Sequence, residues 1–169
     1  MKIQTKVISE VIVTVALAYV LNLIVVFRMP QGGSVTAVSM VPILWLALRR
    51  GLKIGVFGGI VFGLVDMIPQ PFIVHPVQFL LDYPLAFGAL GLAGLFNRHP
   101  IRGVIVGILG RFICHFISGV IFFAMYVPEG MHPAVYSAIY NGSYLIVELI
   151  SSIIVMYILV RRDFVKIYL

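Results

Sequence analysis

PVQFLLDYPLAFGALGLAGLF, residues Pro76–Phe96, contains a single residue charged at neutral pH, Asp82. The run is long enough to cross a hydrocarbon core of about 30 Å as a helix. A carboxylate at the centre of such a span costs about 2.5–3.5 kcal/mol on insertion scales, so an intramembrane acid marks a functional-site candidate. Two further apolar stretches carry polar groups at depth: Arg111 and His115 in one, Tyr136, Asn141 and Glu148 in the other. Together they point to a membrane protein built around a shared polar interior.

Composition agrees. Of 169 residues, 62% are hydrophobic and 11% charged, with a mean hydropathy of +1.12; a soluble domain of this length cannot cover that much apolar surface. The net charge of +6 is distributed as small Lys and Arg clusters between apolar runs. That pattern sets membrane topology and offers no continuous basic face for nucleic acid. The single Cys114 lies in an apolar segment, which excludes an intramolecular disulfide and a CxxC metal pair.

The opening MKIQTKVISEVIVTVALAYVLNLIVVF imitates a secretory signal, but its apolar part is too long, Glu10 interrupts its base, and no small-x-small cleavage site follows. It reads as a first transmembrane helix. The apolar runs are roughly 7–27, 36–48, 52–66, 75–96, 102–126 and 134–160, giving one all-α integral membrane domain, 1–169, of six transmembrane helices. The second and third form a tight hairpin. The positive-inside rule places Lys2, Lys6, Arg49, Arg50, Lys53, Arg98, Arg102, Arg161, Arg162 and Lys166 on the cytoplasmic side, with both termini; only Arg28 falls in an outer loop. The expected outer loops, near 28–35, 67–74 and 127–133, are rich in Pro and Gly and can form a lid. Gly51, Gly55, Gly59 and Gly63 make a stripe for close helix approach, and Gly103 and Gly107 repeat the spacing; the stripes serve packing within the bundle or docking of a second membrane subunit.

Counting about 1.5 Å per residue from the outer ends puts Asp82, His115 and Asn141 near one level. Gln78 and Asp82 are i,i+4 neighbours, Arg111, His115 and Gly119 share a stripe with Phe122 or Phe123, and Asn141, Tyr144 and Glu148 share another. Pro84 withholds an N–H from the carbonyl of Leu80, so a kink beside Asp82 is expected. A carboxylate, an imidazole, an amide and aromatic rings suit a small polar ligand. An organic cation would balance Asp82 and stack on Tyr83 or Phe123. Two internal alternatives stand beside this reading: an Asp82–Arg111 ion pair, and Glu148 as the structural partner of Arg111.

MPQGGS at 29–34, ALRRGLKIGVFGG at 47–59, HPVQFLLDYPLAF at 75–87, HFISGVIFF at 115–123 and VYSAIYNG at 135–142 closely resemble the thiamine-specific substrate-binding (S) component of energy-coupling factor (ECF) transporters. The resemblance covers essentially the whole chain. It implies a six-helix, multi-pass subunit of a prokaryotic plasma membrane that captures thiamine with high affinity, carries no cofactor, and associates with a transmembrane coupling protein and two ATPases that use ATP. The family's ligand-binding positions fall on Asp82, Tyr83, His115, Gly119, Phe123, Tyr136 and Asn141, to which the i,i+4 spacing adds Gln78. By this resemblance Asp82 balances the thiazolium and contacts the aminopyrimidine side, Asn141 and Tyr136 hydrogen-bond the pyrimidine, and His115 and the aromatics flank the rings.

Three departures accompany it. Some members have Glu in place of Asp82, and some have Trp at Phe123 and near the first outer loop, whereas the tryptophan here is Trp45, inside the second span. The small-residue stripe that docks the coupling protein on the first helix has its nearest counterpart in Thr14, Ala18 and Asn22. In addition, Tyr136 and Asn141 are about 140° apart on an ideal helix, which suggests a distorted first turn.

Other classes fit less well. The histidines His75, His99, His115 and His132 are scattered, without HExxH spacing, and Ser118 and His115 lie on one helix, so a membrane-embedded enzyme is disfavoured. A channel would show a polar stripe from end to end. The closer alternative is an S-component for another vitamin or a pyrimidine or thiazole precursor of thiamine. The chain has no Walker A motif, so uptake must draw on partner ATPases.

Overall fold

The computed structural model describes residues 5–69, 71–162 and 164. Its principal helices alternate in direction along the chain: α1 Thr5–Leu23, α2 Met40–Arg50, α3 Leu52–Asp66, α4 Pro76–Leu95, α5 Pro100–Phe122 and α6 Pro133–Arg161. By length and composition α1, α4, α5 and α6 suffice to cross a membrane. At 11 and 15 residues α2 and α3 are shorter and form a hairpin turned at Gly51. The φ of 80° at Gly51 lies in the left-handed region that glycine enters without a Cβ clash.

The first outer loop, expected near 28–35 as a Pro- and Gly-rich connection, contains a β-hairpin. Val25–Arg28 and Ser34–Thr36 pair as antiparallel strands β1 and β2, in register Val25↔Thr36, Phe27↔Val35 and Arg28↔Ser34, with a bulge between Val25 and Phe27. The first helix therefore ends at Leu23, short of the expected residue 27. Ile24–Phe27 are apolar but β-branched or aromatic, a composition that fits a pleated strand as well as a helix end. The turn between the strands closes through Gln31 and Gly32, both at positive φ, and a bond from Met29 N to Gly33 O at 2.7 Å. The second helix starts at Met40 and not at residue 36, and the fifth ends at Phe122 and not at 126, where a single 3₁₀ turn follows.

Helix α2 is the axis of the bundle, with Met40, Ile43, Leu44, Leu46, Ala47 and Leu48 fully enclosed. The glycine stripe is spent inside the fold. A Cβ on Gly59 would sit 2.2 Å from the carbonyl oxygen of Phe87, and one on Gly63 2.5 Å from that of Tyr83, so the backbones of α3 and α4 touch. Gly103 and Gly107 approach the α4 backbone at Ala93 and Leu90 in the same way. The Thr14, Ala18 and Asn22 stripe of α1 also faces inward: Thr14 and Ala18 are buried, and Asn22 bonds Asp66 of α3. It is not an outward docking face, because the exposed side of α1 is Ile12, Val13, Leu17 and Val20.

The basic residues Lys6, Arg49, Arg50, Lys53, Arg98, Arg102, Arg161 and Arg162 belong to the helix ends and turns at one end of the bundle. There Glu10 of α1 accepts two bonds from Arg50, at 2.5 and 2.7 Å, and one from Arg49 at 3.3 Å. Lys2 and Lys166, assigned to the same side from sequence, lie outside the described residues. The opposite end carries the β-hairpin and the loops after α3 and α5.

Candidate ligand-binding site

The site is organised by a defect in α4. The helix is α-helical over Pro76–Leu80, widens to a π turn over Leu81–Leu85, and continues as α and then 3₁₀ turns to Leu95. Pro84 lies inside the wide turn. A π turn bonds i to i+5, so the carbonyl of Leu80 is carried past the missing N–H of Pro84 to the next residue along. The kink expected from Pro84 thus takes the form of an inserted residue, which turns Asp82 and Tyr83 toward the bundle interior.

Asp82 accepts three hydrogen bonds: from Gln78 Nε2 at 2.7 Å, Ser118 Oγ at 2.8 Å and His115 Nδ1 at 3.0 Å. The other ring nitrogen of His115 accepts from Arg111 Nε at 3.2 Å. A guanidinium can only donate, so Nε2 is the acceptor and the ring proton sits on Nδ1, facing Asp82. Arg111 also lies 4.2 Å over the ring of Phe87. Neither internal alternative takes the form anticipated: Arg111 reaches Asp82 only through His115, and Glu148 turns to Thr36 of β2, bonding its N–H and hydroxyl. The side chains of Asp82 and His115 remain 16% and 12% exposed, enough to present one face to a ligand.

Helix α6 supplies the facing wall with Tyr136, Tyr140, Tyr144 and Glu148 at four-residue spacing, and Ser137 and Asn141 beside them. It is regular from Pro133, so Tyr136 needs no distorted turn; the cavity wraps far enough round α6 to meet both Tyr136 and Asn141. Asn141 donates to Ser137 O at 3.0 Å and His115 O at 3.3 Å, and accepts from Tyr144 OH at 3.1 Å. Gly119 is where α5 meets α6: a Cβ there would lie 2.2 Å from Ser137 Oγ. The outer loops add an aromatic cover, Phe72 stacked on Phe123 at 5.7 Å and Phe123 on Tyr126 at 6.2 Å.

These elements enclose a cavity of about 390 Å³, within the range of ~300–1,000 Å³ typical of small-molecule sites. Asp82, Tyr83, His115, Gly119, Phe123, Tyr136, Asn141 and Gln78 all line it. Gln78, 1% exposed, is committed to bracing: it bonds Asp82, the carbonyl of Phe72 and the N–H of Val74. Sequence reasoning missed Asn22, Asp66, Phe72 and Tyr140, which also line the cavity. Asp66 ends α3 one residue before a loop, where an acid reads as ordinary surface charge. By formal charge, three carboxylates, Asp66, Asp82 and Glu148, stand against two guanidiniums, Arg28 and Arg111, an excess of one negative charge. Among the described residues no group of three His, Cys, Asp or Glu is placed to hold a metal ion.

A helical bundle with several apolar helices around an aromatic and anionic cavity defines a multi-pass membrane protein that binds a small polar ligand. The chain belongs to the thiamine transporter protein (Thia_YuaJ) family, whose model matches residues 8–167. It is 35% identical to the thiamine transporter ThiT of Bacillus subtilis (strain 168), over 89% of this chain and 88% of that protein. It is 32% identical to the thiamine transporter ThiT of Lacticaseibacillus paracasei, over 92% of this chain and 87% of that one. A solved structure of ThiT from Listeria monocytogenes superposes with a TM-score of 0.83 at 24% identity, covering 92% of this chain and 93% of the other, and has the same fold. The family is one of cell-membrane transporters and not of enzymes.

Proposed function

We propose that this chain is the substrate-capture subunit of an ECF-type transporter and takes up thiamine through this cavity. The observation that carries the reading is Asp82: an anion fixed by three donors, at the edge of an aromatic cavity with one negative charge in excess, in a chain of the thiamine transporter family. A permanently cationic ring neutralises that excess, and a charge brought into a low-dielectric site needs such a partner. Asp82 balances the thiazolium, Tyr136 and Asn141 face the pyrimidine, and His115, Tyr83 and Phe123 flank the rings. Gly119 permits the α5–α6 approach that brings Asn141 within reach.

The cavity opens at the end opposite the basic helix termini, so the positive-inside rule turns it outward. Thiamine enters from outside beneath the β-hairpin and the loops bearing Phe72 and Phe123. Release to the cytoplasm is powered by partners, a transmembrane coupling protein and two ATPases that hydrolyse ATP. Isothermal titration of thiamine into the detergent-purified chain, with riboflavin and biotin as controls, tests the assignment. One-to-one binding of thiamine alone is expected. Binding of only a pyrimidine or thiazole fragment would move the specificity to a precursor, and binding of neither would reject the assignment.

A further inference from the structure

We propose that Glu148 is a positioning residue for ligand retention, acting through Thr36 to hold the β-hairpin down over the cavity; this rests on the thiamine-capture reading above. Glu148 is 2% exposed, deep on α6. Its Oε1 accepts from the backbone N–H of Thr36 at 2.5 Å and from the Thr36 hydroxyl at 2.8 Å. The Thr36 proton being spent on the carboxylate, the 2.7 Å contact between Thr36 and Ser39 hydroxyls must have Ser39 as donor. A directed chain therefore runs from the start of α2, through the end of β2, to α6.

Two turns away on α6, Tyr140 fastens the tip of the same hairpin. Its hydroxyl receives Gly33 N–H at 3.0 Å and donates to the carbonyl of Pro30. The ring of Tyr144, between the two anchors, packs so closely on Gly33 that an added Cβ would lie 3.0 Å from it. Tip and base of the hairpin are thus pinned to one stripe of one helix, at i, i+4 and i+8.

Glu148 also lines the cavity, but the side-chain hydrogen bonds it makes among the described residues both go from its Oε1 to Thr36 of the hairpin; its buried second oxygen bonds no described residue. Immediately after the latch, Val38 has φ of 56°, a left-handed backbone in which a β-branched residue is a genuine outlier. It persists because Thr36 and Ser39 on either side are held. Release of Thr36 frees Val38 to relax, which makes the exit of the hairpin the hinge of the lid.

The test is dissociation of radiolabelled thiamine from the full-length purified chain, chased with unlabelled thiamine, with association followed separately. Glu148→Ala is expected to raise the dissociation rate about tenfold or more and to change association less than about threefold, the signature of a lost latch. Thr36→Val keeps the backbone bond and should give a smaller rise. The double variant should be no faster than Glu148→Ala alone. Glu148→Gln retains an acceptor at the same place while removing a cavity charge, and should release thiamine more slowly than Glu148→Ala. A merely structural role would lower thermal stability without moving the dissociation rate. Dissociation unchanged in both Glu148→Ala and Thr36→Val overturns the proposal; if Glu148→Ala does not fold, Thr36→Val and Tyr140→Phe decide it. Failure of the unmodified chain to bind thiamine would instead refute the functional reading beneath it.

Discussion

His115 donates through Nδ1 to Asp82 at 3.0 Å because its other nitrogen is occupied by Arg111 at 3.2 Å. The guanidinium fixes the tautomer, the tautomer orients the ring, and the ring holds one oxygen of the carboxylate. Gln78 and Ser118 hold the other. The acid is therefore aimed before any ligand arrives, and preorganisation of this kind raises affinity by reducing the ordering cost of binding.

The wide turn of α4 sets that aim. Pro84→Ala restores an N–H four residues after Leu80 and lets α4 return to α geometry. Removing the inserted residue rotates one half of the helix by about 100° against the other. Thermal stability should hold or rise while thiamine affinity falls about tenfold or more. Titration beside a melting curve checks this, and unchanged affinity would mean that the π turn has no part in placing Asp82.

Gly119 is predicted to be a contact between helices. The Cβ of Gly119→Ala would meet Ser137 Oγ at 2.2 Å and Ser137 Cβ at 3.0 Å. Overpacking of this kind costs about 1–3 kcal/mol, so the melting temperature should drop and affinity should fall with it. Ser137→Gly in the same chain should recover part of both. A melting temperature unmoved by Gly119→Ala, with affinity lost, would show that the glycine serves the ligand alone.

Asp66 contributes charge to the cavity from α3, braced by Asn22. Asp66→Asn removes the excess negative charge while keeping the shape. Thiamine should bind about three- to tenfold more weakly. A neutral analogue of the same shape should be affected less than about twofold. Parallel titrations decide; equal losses for both ligands would make Asp66 a structural residue only.

Much of this was legible because membrane helices advertise themselves. The span 52–66 coincides with α3, and 75–96 with α4 to within a residue at each end. Asp82 stood out because nothing else in its span is charged at neutral pH, and all eight residues proposed for the site line one cavity. What escaped detection did so for physical reasons. Val25–Phe27 are as apolar as a helix end, yet they belong to a strand because a Pro-Gln-Gly turn folds the following segment back. Thr14, Ala18 and Asn22 have the spacing of a docking stripe, but spacing does not say which side of a helix faces the bundle. Glu148 and Arg111 looked complementary by charge and depth; only the hairpin, invisible as an element in the sequence, shows that Thr36 takes the carboxylate.

The most direct test of the central claim, charge balance at Asp82, is titration of thiamine and of a neutral isostere lacking the thiazolium charge into the unmodified chain and into Asp82→Asn. Thiamine should lose about a hundredfold in affinity in the variant, corresponding to ~2.7 kcal/mol, while the isostere changes by less than about threefold. Equal losses for the two ligands would contradict the account and reduce Asp82 to a hydrogen-bonding residue.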